Sequence, residues 1–212
     1  MKGLSTRAKE MGLPMTIEMA KKARELSATG KHVISLSLGE PDFDTPDFIK
    51  EAANDAMEQN YTHYMPIPGF ADVRASIAAK FKRDNNLEYS PDQIVVSTGA
   101  KQSLLNIFLT LVNPGEEIII PAPYWVSYMD QAKYCEGVVK TLPTSMESGF
   151  KITASQLESA ITDKSKVLIF SSPNNPCGAI YSKSELAAIA EVVAKHPHLY
   201  IISDEIYELL NY

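Results

Sequence analysis

Short apolar runs that alternate with helix-like segments constrain the fold of this chain more than any other feature of its sequence. From residue 94 onward, each run is four to six residues long and mostly apolar. Such strands, separated by helices, are typical of a parallel sheet buried on both faces. The sequence therefore predicts an α/β fold, a three-layer sandwich with a mainly parallel sheet between helices. The predicted strands are 94–97, 117–121, 138–142, 166–171 and 199–203.

Helix start and stop signals place the segments between these strands. Thr45 is expected to cap a helix that has Pro46 at its first position, and a β-like run precedes it at 32–38. Two capping boxes predict further helix starts, Thr153 with Gln156 and Ser182 with Glu185. The predicted helices are 14–29, 46–59, 71–84, 102–111, 126–134, 153–161 and 182–195.

The composition limits the classes of partner and compartment. The 212 residues are 45% apolar and 22% charged, which suits one large domain or a domain with a small additional piece. A formal net charge of −6 argues against nucleic acid or an acidic membrane as a partner. Two cysteines, with no bilayer-spanning run and no apolar signal segment, predict a cytoplasmic protein. The histidines lack the spacing of a metal site, so no metal is predicted.

Residues that follow the predicted strands are the candidates for a binding site, because ligands of parallel α/β sheets bind outside the carboxyl ends of the strands. The turn at 97–101 is rich in small residues and opens a helix, as anion-binding turns do. Trp125 follows the second strand, Asn174 and Asn175 follow the fourth, and the last is followed by an acid and a phenol, Asp204 and Tyr207.

Each candidate also has an ordinary structural interpretation. Gly99 could belong to a plain strand-to-helix turn, and Trp125 could be a core residue. Asp204 could cap a helix, and an Asn pair is a common turn device. The set as a whole contains the parts that pyridoxal 5′-phosphate (PLP) needs: an anion cradle, a ring to stack on, a carboxylate for the ring nitrogen, and donors for the ring oxygen.

Six motifs give the chain a resemblance to a known family. They are SLGEPDFDTP, YTHYMPIPG, STGAKQ, PAPYWVSY, SSPNNPCGAIY and SDEIY. In this order and at these spacings, the chain resembles the class I, fold-type I, PLP-dependent aminotransferases, especially the bacterial aspartate aminotransferase-like subgroup. The resemblance implies an N-terminal arm and small-domain segment at 1–45. It also implies a PLP-binding large domain at 46–212, incomplete at its C-terminal end.

The resemblance assigns roles around the cofactor. Asp204 would pair with the pyridine nitrogen, and Asn175 and Tyr207 would donate to the ring oxygen, which makes Asp204 and Tyr207 the expected catalytic residues. Trp125 would stack on one face of the ring, and Ile206 would lie under the other. The phosphate cradle would comprise the backbone of Ser97, Gly99, Ala100 and Lys101.

The resemblance also implies a substrate and a partner. Tyr64 would reach the PLP phosphate of a partner subunit, which implies a homodimer with shared sites. The expected substrate-binding residues are Gly39, Trp125, Asn175, Lys101 and Thr16. Of these, Lys101 and Thr16 would meet a distal carboxylate. Aspartate or glutamate is therefore the expected amino donor, and 2-oxoglutarate the expected acceptor.

Two departures qualify the resemblance. Cys177 stands where the family usually has Thr, at a position that is not a principal cofactor contact. The Schiff-base Lys of the family lies beyond the SDEIY motif, whereas the last Lys of this sequence is Lys195. The later Arg that holds the substrate carboxylate is also absent from these residues. We therefore expect residues 1–212 alone to be inactive, and the activity to belong to a longer protein.

The sequence leaves two alternatives open and disfavours a third. One is another fold-type I PLP enzyme, such as a β-lyase or an aromatic or prephenate aminotransferase. Another is a truncated chain that binds a partner half, or binds PLP without turnover. A nicotinamide-binding α/β protein is disfavoured, because no GxGxxG follows the first strand.

Overall fold

The computed structural model describes residues 3–10, 15–36, 39–41 and 43–210. The chain divides into two compact units, which we call the N-terminal unit, Leu13–Ser97, and the sheet unit, Met1–Gly12 with Thr98–Tyr212. The domain division at residue 45 that the resemblance implies stays a prediction.

The elements of the described residues follow the predicted order closely. The helices are α1 (Thr6–Glu10), α2 (Met15–Ala28), α3 (Asp47–Glu58), α4 (Ala71–Asn85), α5 (Ala100–Leu111), α6 (Ser127–Tyr134), α7 (Ala154–Ala160) and α8 (Lys183–Val193), with a short 3₁₀ helix at Pro91–Gln93. The strands are β1 (Glu117–Pro121), β2 (Val138–Leu142), β3 (Ser165–Ser171) and β4 (Tyr200–Asp204).

The predicted helix starts are confirmed at two of three places. Both capping boxes form, with the Thr153 and Ser182 hydroxyls accepting from the backbone N–H three residues later. The predicted cap of α3 is wrong. Pro46, with φ −52° and ψ 142°, is itself the N-cap, so Thr45 lies one position too early to cap the helix.

Two predicted strands are wrong within the described residues. Neither 32–36 nor 94–97 forms a strand, and residues 37 and 38 lie outside the described part. Val96 donates its N–H to the carbonyl of Pro68 at 3.0 Å, and Val95 is 65% exposed. A strand needs a partner strand for its backbone groups, and no described strand pairs with either run.

The remaining four strands form one parallel sheet in the order β2-β1-β3-β4. Ile118 of β1 aligns with Val139 of β2 and with Val167 of β3, and Leu168 of β3 aligns with Ile201 of β4. Because all strands run in the same direction, their carboxyl ends share one edge of the sheet. The loops that follow β1, β3 and β4 therefore begin at that edge.

Helices cover both faces of this sheet, which confirms the predicted three-layer α/β fold. On one face, Ile118 and Ile120 share a core with Phe108 of α5 and Tyr128 of α6. On the other face, buried apolar residues of β1 and β3 pack with α7 and α8; this second core includes Ile119, Leu168, Leu157 and Ile189. Burying one such aliphatic side chain contributes about 1.5–3 kcal/mol.

A carboxylate at the amino end of β1 ties three segments together. Glu117 accepts hydrogen bonds from Thr162 Oγ1 at 2.7 Å, Ser165 Oγ at 2.8 Å and Lys140 Nζ at 3.2 Å. Burial by itself would raise the pKa of this carboxyl. The hydrogen bonds from Thr162, Ser165 and Lys140 outweigh it and hold the pKa below its ordinary 4.5.

We predict that Glu117→Gln lowers the free energy of unfolding near neutral pH by about 1.5–3 kcal/mol, the range for hydrogen bonds to a charged group. Because folding lowers the pKa of Glu117, its contribution is present above pH 4.5 and is lost as the pH falls through the folded-state value. The difference between wild type and variant should therefore shrink in acid.

Urea unfolding followed by circular dichroism at several pH values measures this difference. Glu191→Gln, an exposed carboxyl on α8, is the matched control and should change stability by less than about 0.5 kcal/mol. A gap between wild type and Glu117→Gln that stayed constant into acid would contradict the assignment.

Candidate active site

The carboxylate of Asp204 lies buried at the carboxyl end of β4. The residue is 8% exposed. Its Oδ2 accepts a hydrogen bond from the hydroxyl of Tyr128 at 2.6 Å, and its Oδ1 accepts one from the N–H of Ile206 at 3.3 Å. The structural interpretation of Asp204 as a helix cap is therefore partly right, because its side chain accepts from the backbone of the turn that follows β4. It also presents a buried acid at the edge where ligands of parallel sheets bind.

Tyr128 belongs to this candidate site, although no role was predicted for it from the sequence. Its side chain is 1% exposed on α6. Burial, together with the Asp204 carboxylate, raises the pKa of the phenol far above its ordinary value, and Ser171 opposes the shift only in part. Tyr128 therefore stays a neutral donor. It lies inside the quoted motif PAPYWVSY, three residues after Trp125, and its membership of that motif was the available signal.

Trp125 links the loop after β1 to the start of α5. Its ring packs edge-to-face on Tyr128 with centroids 5.6 Å apart, and it lies against the core while remaining partly exposed. The Lys101 ammonium lies 4.9 Å from the centroid of the Trp125 ring. Trp125 is thus both a core residue and an aromatic surface beside a cation.

The loop after β3 and the turn after β4 meet through one hydrogen bond. Asn175 Nδ2 donates to Tyr207 Oη at 2.8 Å. The Asn175 amide keeps a second N–H, and the Tyr207 phenol keeps its own hydrogen, so two donors remain for a ligand oxygen. Ile206, between Asp204 and Tyr207 in sequence, is 61% exposed.

The neighbouring Asn174 has a different task from Asn175. Its Nδ2 donates to the carbonyl of Pro123 at 3.3 Å, which joins the loops after β3 and β1. Its Oδ1 accepts from Cys177 Sγ at 3.0 Å. The peptide bonds that precede Pro123, Pro173 and Pro176 are cis. Asn174 and Cys177 therefore shape the loop, while Asn175 faces Tyr207.

The start of α5 has the features of an anion-binding turn. Gly99 is the N-cap, with φ 81° and ψ 161°, a conformation that favours glycine. A Cβ at Gly99 would meet no atom within 4 Å, so the space beside it is open. Gly99 brings no side chain to cap the helix, and its carbonyl accepts from the N–H groups of Gln102 and Ser103. The N–H groups of Ala100 and Lys101, the first two residues of α5, have no acceptor inside the helix.

Three predicted site residues belong to the N-terminal unit. Tyr64 is fully exposed, and Gly39 is exposed with open space beside its Cα. Thr16 lies in α2, and its side chain falls outside the described part of the chain. The roles of these residues, and that of Ser97, stay predictions.

The side chains at the edge of the sheet unit fit PLP chemically. A buried carboxylate suits a protonated ring nitrogen, two remaining donors suit a ring oxygen, and the start of α5 suits a phosphate. Among the described residues, no group of three or more His, Cys, Asp and Glu could hold a metal ion. None of the helices that the structure describes has the length and apolar character needed to cross a membrane.

Comparison with known proteins identifies relatives over almost the whole chain. A probable aspartate/prephenate aminotransferase of Rhizobium leguminosarum bv. phaseoli is 50% identical over 197 residues, 93% of this chain and 49% of the relative. An aspartate aminotransferase of Bacillus sp. (strain YM-2) is 46% identical over 209 residues, 99% of this chain and 53% of the relative. The chain thus spans about half the length of these relatives.

A solved structure and a family profile agree with these matches. The structure of Thermus thermophilus aspartate aminotransferase with maleate matches with a TM-score of 0.95 and 42% identity, over 100% of this chain and 55% of that one. The profile of the family described as Aminotransferase class I and II matches residues 31–212. The chain therefore belongs to the class I and II aminotransferases.

Proposed function

We propose that the full-length protein transfers an amino group between aspartate or glutamate and a 2-oxo acid, with 2-oxoglutarate as acceptor and PLP as cofactor. The observation that carries this proposal is the buried Asp204–Tyr128 hydrogen bond of 2.6 Å at the edge of the sheet where Asn175 and Tyr207 also meet. Family membership supports the reaction class.

Asp204 and Tyr128 would act together on the cofactor. PLP supplies an electron sink for the carbanion formed at the substrate Cα, and a protonated ring nitrogen strengthens that sink. Asp204 would stabilise the proton on that nitrogen, because a nearby opposite charge favours the charged form. Tyr128 would hold the carboxylate in one orientation through its hydrogen bond to Oδ2.

Asn175 and Tyr207 would orient the other side of the ring. Their mutual hydrogen bond of 2.8 Å fixes both side chains before a ligand arrives. Tyr207 would donate its hydroxyl hydrogen to the ring oxygen. Asn175 would offer its second N–H to the same oxygen or to the substrate α-carboxylate, which Gly39 would meet through its backbone.

Lys101 supports a substrate with a second carboxylate. Its ammonium lies 4.9 Å from the centroid of the Trp125 ring, so it is held beside the ring that would stack on the cofactor. Thr16 is proposed to join it at the distal carboxylate. The Thermus thermophilus relative was solved with maleate, a dicarboxylate, which agrees with this class of substrate.

Prephenate transamination is a second candidate function. The Rhizobium leguminosarum relative is described as a probable aspartate/prephenate aminotransferase. Prephenate also carries a second carboxylate, so Lys101 is compatible with either amino acceptor. Parallel assays with 2-oxoglutarate and prephenate as acceptors separate the two functions.

A homodimer with shared sites is the proposed assembly. Tyr64 is fully exposed in the single chain, as a residue that enters the site of a partner must be before assembly. Helix α3 of the same unit has no buried residue, and its Phe48 is 71% exposed. An apolar surface of this kind agrees with burial against a second copy.

The decisive assay uses the protein at the full length that its gene encodes, with PLP, aspartate and 2-oxoglutarate. We expect oxaloacetate and glutamate in equal amounts.

Asp204→Ala should lower kcat by about 10²–10³-fold, the usual effect of removing one preorganised electrostatic group. Its matched control, Glu205→Ala, removes an exposed neighbouring carboxylate and should retain activity. Release of pyruvate and a thiol from a sulfur amino acid, without oxo-acid exchange, would indicate a β-lyase instead.

Tyr128→Phe should weaken catalysis while leaving the fold intact. The variant loses one charge-assisted hydrogen bond to Asp204, worth about 1.5–3 kcal/mol. If half of that is realised in the transition state, kcat falls by roughly three- to tenfold. Steady-state kinetics of the full-length protein measure the change. Tyr134→Phe, on the same helix but half-exposed, is the matched control. Equal kinetics for both variants would argue that Tyr128 has no role toward Asp204.

Lys101→Met should change substrate preference rather than the chemistry itself. The variant keeps most of the apolar stem but loses the cation that would meet the distal carboxylate. We expect kcat/KM for aspartate to fall at least tenfold, about 1.4 kcal/mol, and kcat/KM for alanine to change little. Lys133→Met, an exposed Lys on α6, serves as control. An equal loss for aspartate and alanine would remove Lys101 from substrate recognition.

A further inference from the structure

We infer that Gln131 is a positioning residue that holds the first turn of α5 in place for the cofactor phosphate. The inference rests on the proposed function, because it needs a phosphorylated ligand at that turn. Gln131 lies on α6, outside the six sequence motifs, and its side chain contacts α5.

Gln131 reaches α5 through the hydrogen bond that its side-chain amide donates. Its Nε2 donates to the carbonyl oxygen of Lys101 at 2.7 Å, although the two residues are 30 positions apart in sequence. Gln131 is only 8% exposed. Its Oε1 is buried and accepts no hydrogen bond from any residue that the structure describes. The orientation of the amide is fixed by its partner, since a carbonyl oxygen can only accept.

An amide in this environment is a poor choice for stability alone. A buried acceptor without a donor is unfavourable, and an apolar side chain of similar shape would avoid it. What Gln131 provides that an apolar residue would not is the N–H directed at Lys101. The half-satisfied amide therefore indicates a positioning task.

A hydrogen bond to the Lys101 carbonyl restrains the backbone of the first turn of α5. The peptide plane of that carbonyl also contains the N–H of Gln102, which donates to the Gly99 carbonyl at 3.1 Å. Fixing the Lys101 oxygen therefore fixes the hydrogen bond that closes this turn, and with it the position of the Lys101 Cα. Gly99 gives the helix no side-chain cap. Within the turn, the Gln102 side chain accepts a hydrogen bond from the Thr98 N–H, and Gln131 adds a second constraint from another helix.

The same segment also holds the rest of the proposed site. Tyr128 and Gln131 lie about one turn apart on α6, and Trp125 lies just before that helix begins. Trp125 lies beside the Lys101 ammonium, Tyr128 donates to Asp204, and Gln131 donates to the Lys101 carbonyl. The segment 125–131 therefore sets the distance between the phosphate cradle and the ring-nitrogen partner.

The test compares two ligands that differ only in the phosphate. Full-length protein freed of cofactor is titrated with pyridoxamine phosphate and with pyridoxamine, neither of which can react covalently with a lysine. Gln131→Met, which keeps an unbranched side chain of similar length, should bind pyridoxamine phosphate about tenfold more weakly. Its affinity for pyridoxamine should not change. Gln131→Leu should behave in the same way.

Hydrogen exchange gives a second readout that is independent of ligand. The amides of residues 101–103 should exchange faster in both Gln131 variants than in the wild type. Gln156→Met is the matched control, because the Gln156 amide also donates to a backbone carbonyl, that of Pro143 at 3.3 Å. It should lower stability without changing the ratio of the two affinities.

The outcomes separate the inference from the proposed function. If the wild type prefers pyridoxamine phosphate and the Gln131 variants keep the same preference, the inference is wrong and the proposed function stands. If the wild type itself shows no preference for the phosphorylated ligand, the cofactor site is wrong, and the inference is wrong with it. Loss of affinity for both ligands alike would reduce Gln131 to a general structural role.

Discussion

The hydrogen bond between Tyr128 and Asp204 is the interaction on which the rest of the site depends. It joins residues 76 positions apart and brings helix α6 against the end of β4. A buried carboxylate is costly unless it is hydrogen-bonded, so the donor that satisfies Asp204 must come from inside the core. Tyr128 meets this need because its ring belongs to the same apolar cluster as Ile118, Ile169 and Ile202. The packing of the sheet and the position of the acid are therefore one arrangement.

At the carboxyl edge of the sheet, some side chains hold the loops in shape and others face the space where a ligand would bind. Asn174 binds the Pro123 carbonyl and the Cys177 thiol, which shapes the loop after β3, whereas its neighbour Asn175 meets Tyr207. This arrangement accounts for two adjacent asparagines among prolines, since one amide alone could not both join loops and face a ligand.

Continuous apolar runs and capping boxes were enough to predict the parallel sheet and most helix bounds, because those signals act locally. They failed at 94–97, where an extended run finds no partner strand among the described residues. The motifs pointed to Asp204, Asn175 and Tyr207, but not to what holds them. Tyr128 and Gln131 act on residues 76 and 30 positions away, and no local spacing encodes a contact that only the packed fold creates.

The proposed function depends most directly on Asp204, which would hold a proton on the ring nitrogen of the cofactor. NMR of pyridoxamine phosphate, isotope-labelled at its ring nitrogen and bound to the full-length protein, reports that protonation state directly. We predict a protonated nitrogen at neutral pH that persists well above the pH at which the free ligand loses its proton, and a loss of this protection in Asp204→Asn. An unprotonated nitrogen in the wild type at neutral pH would contradict the account.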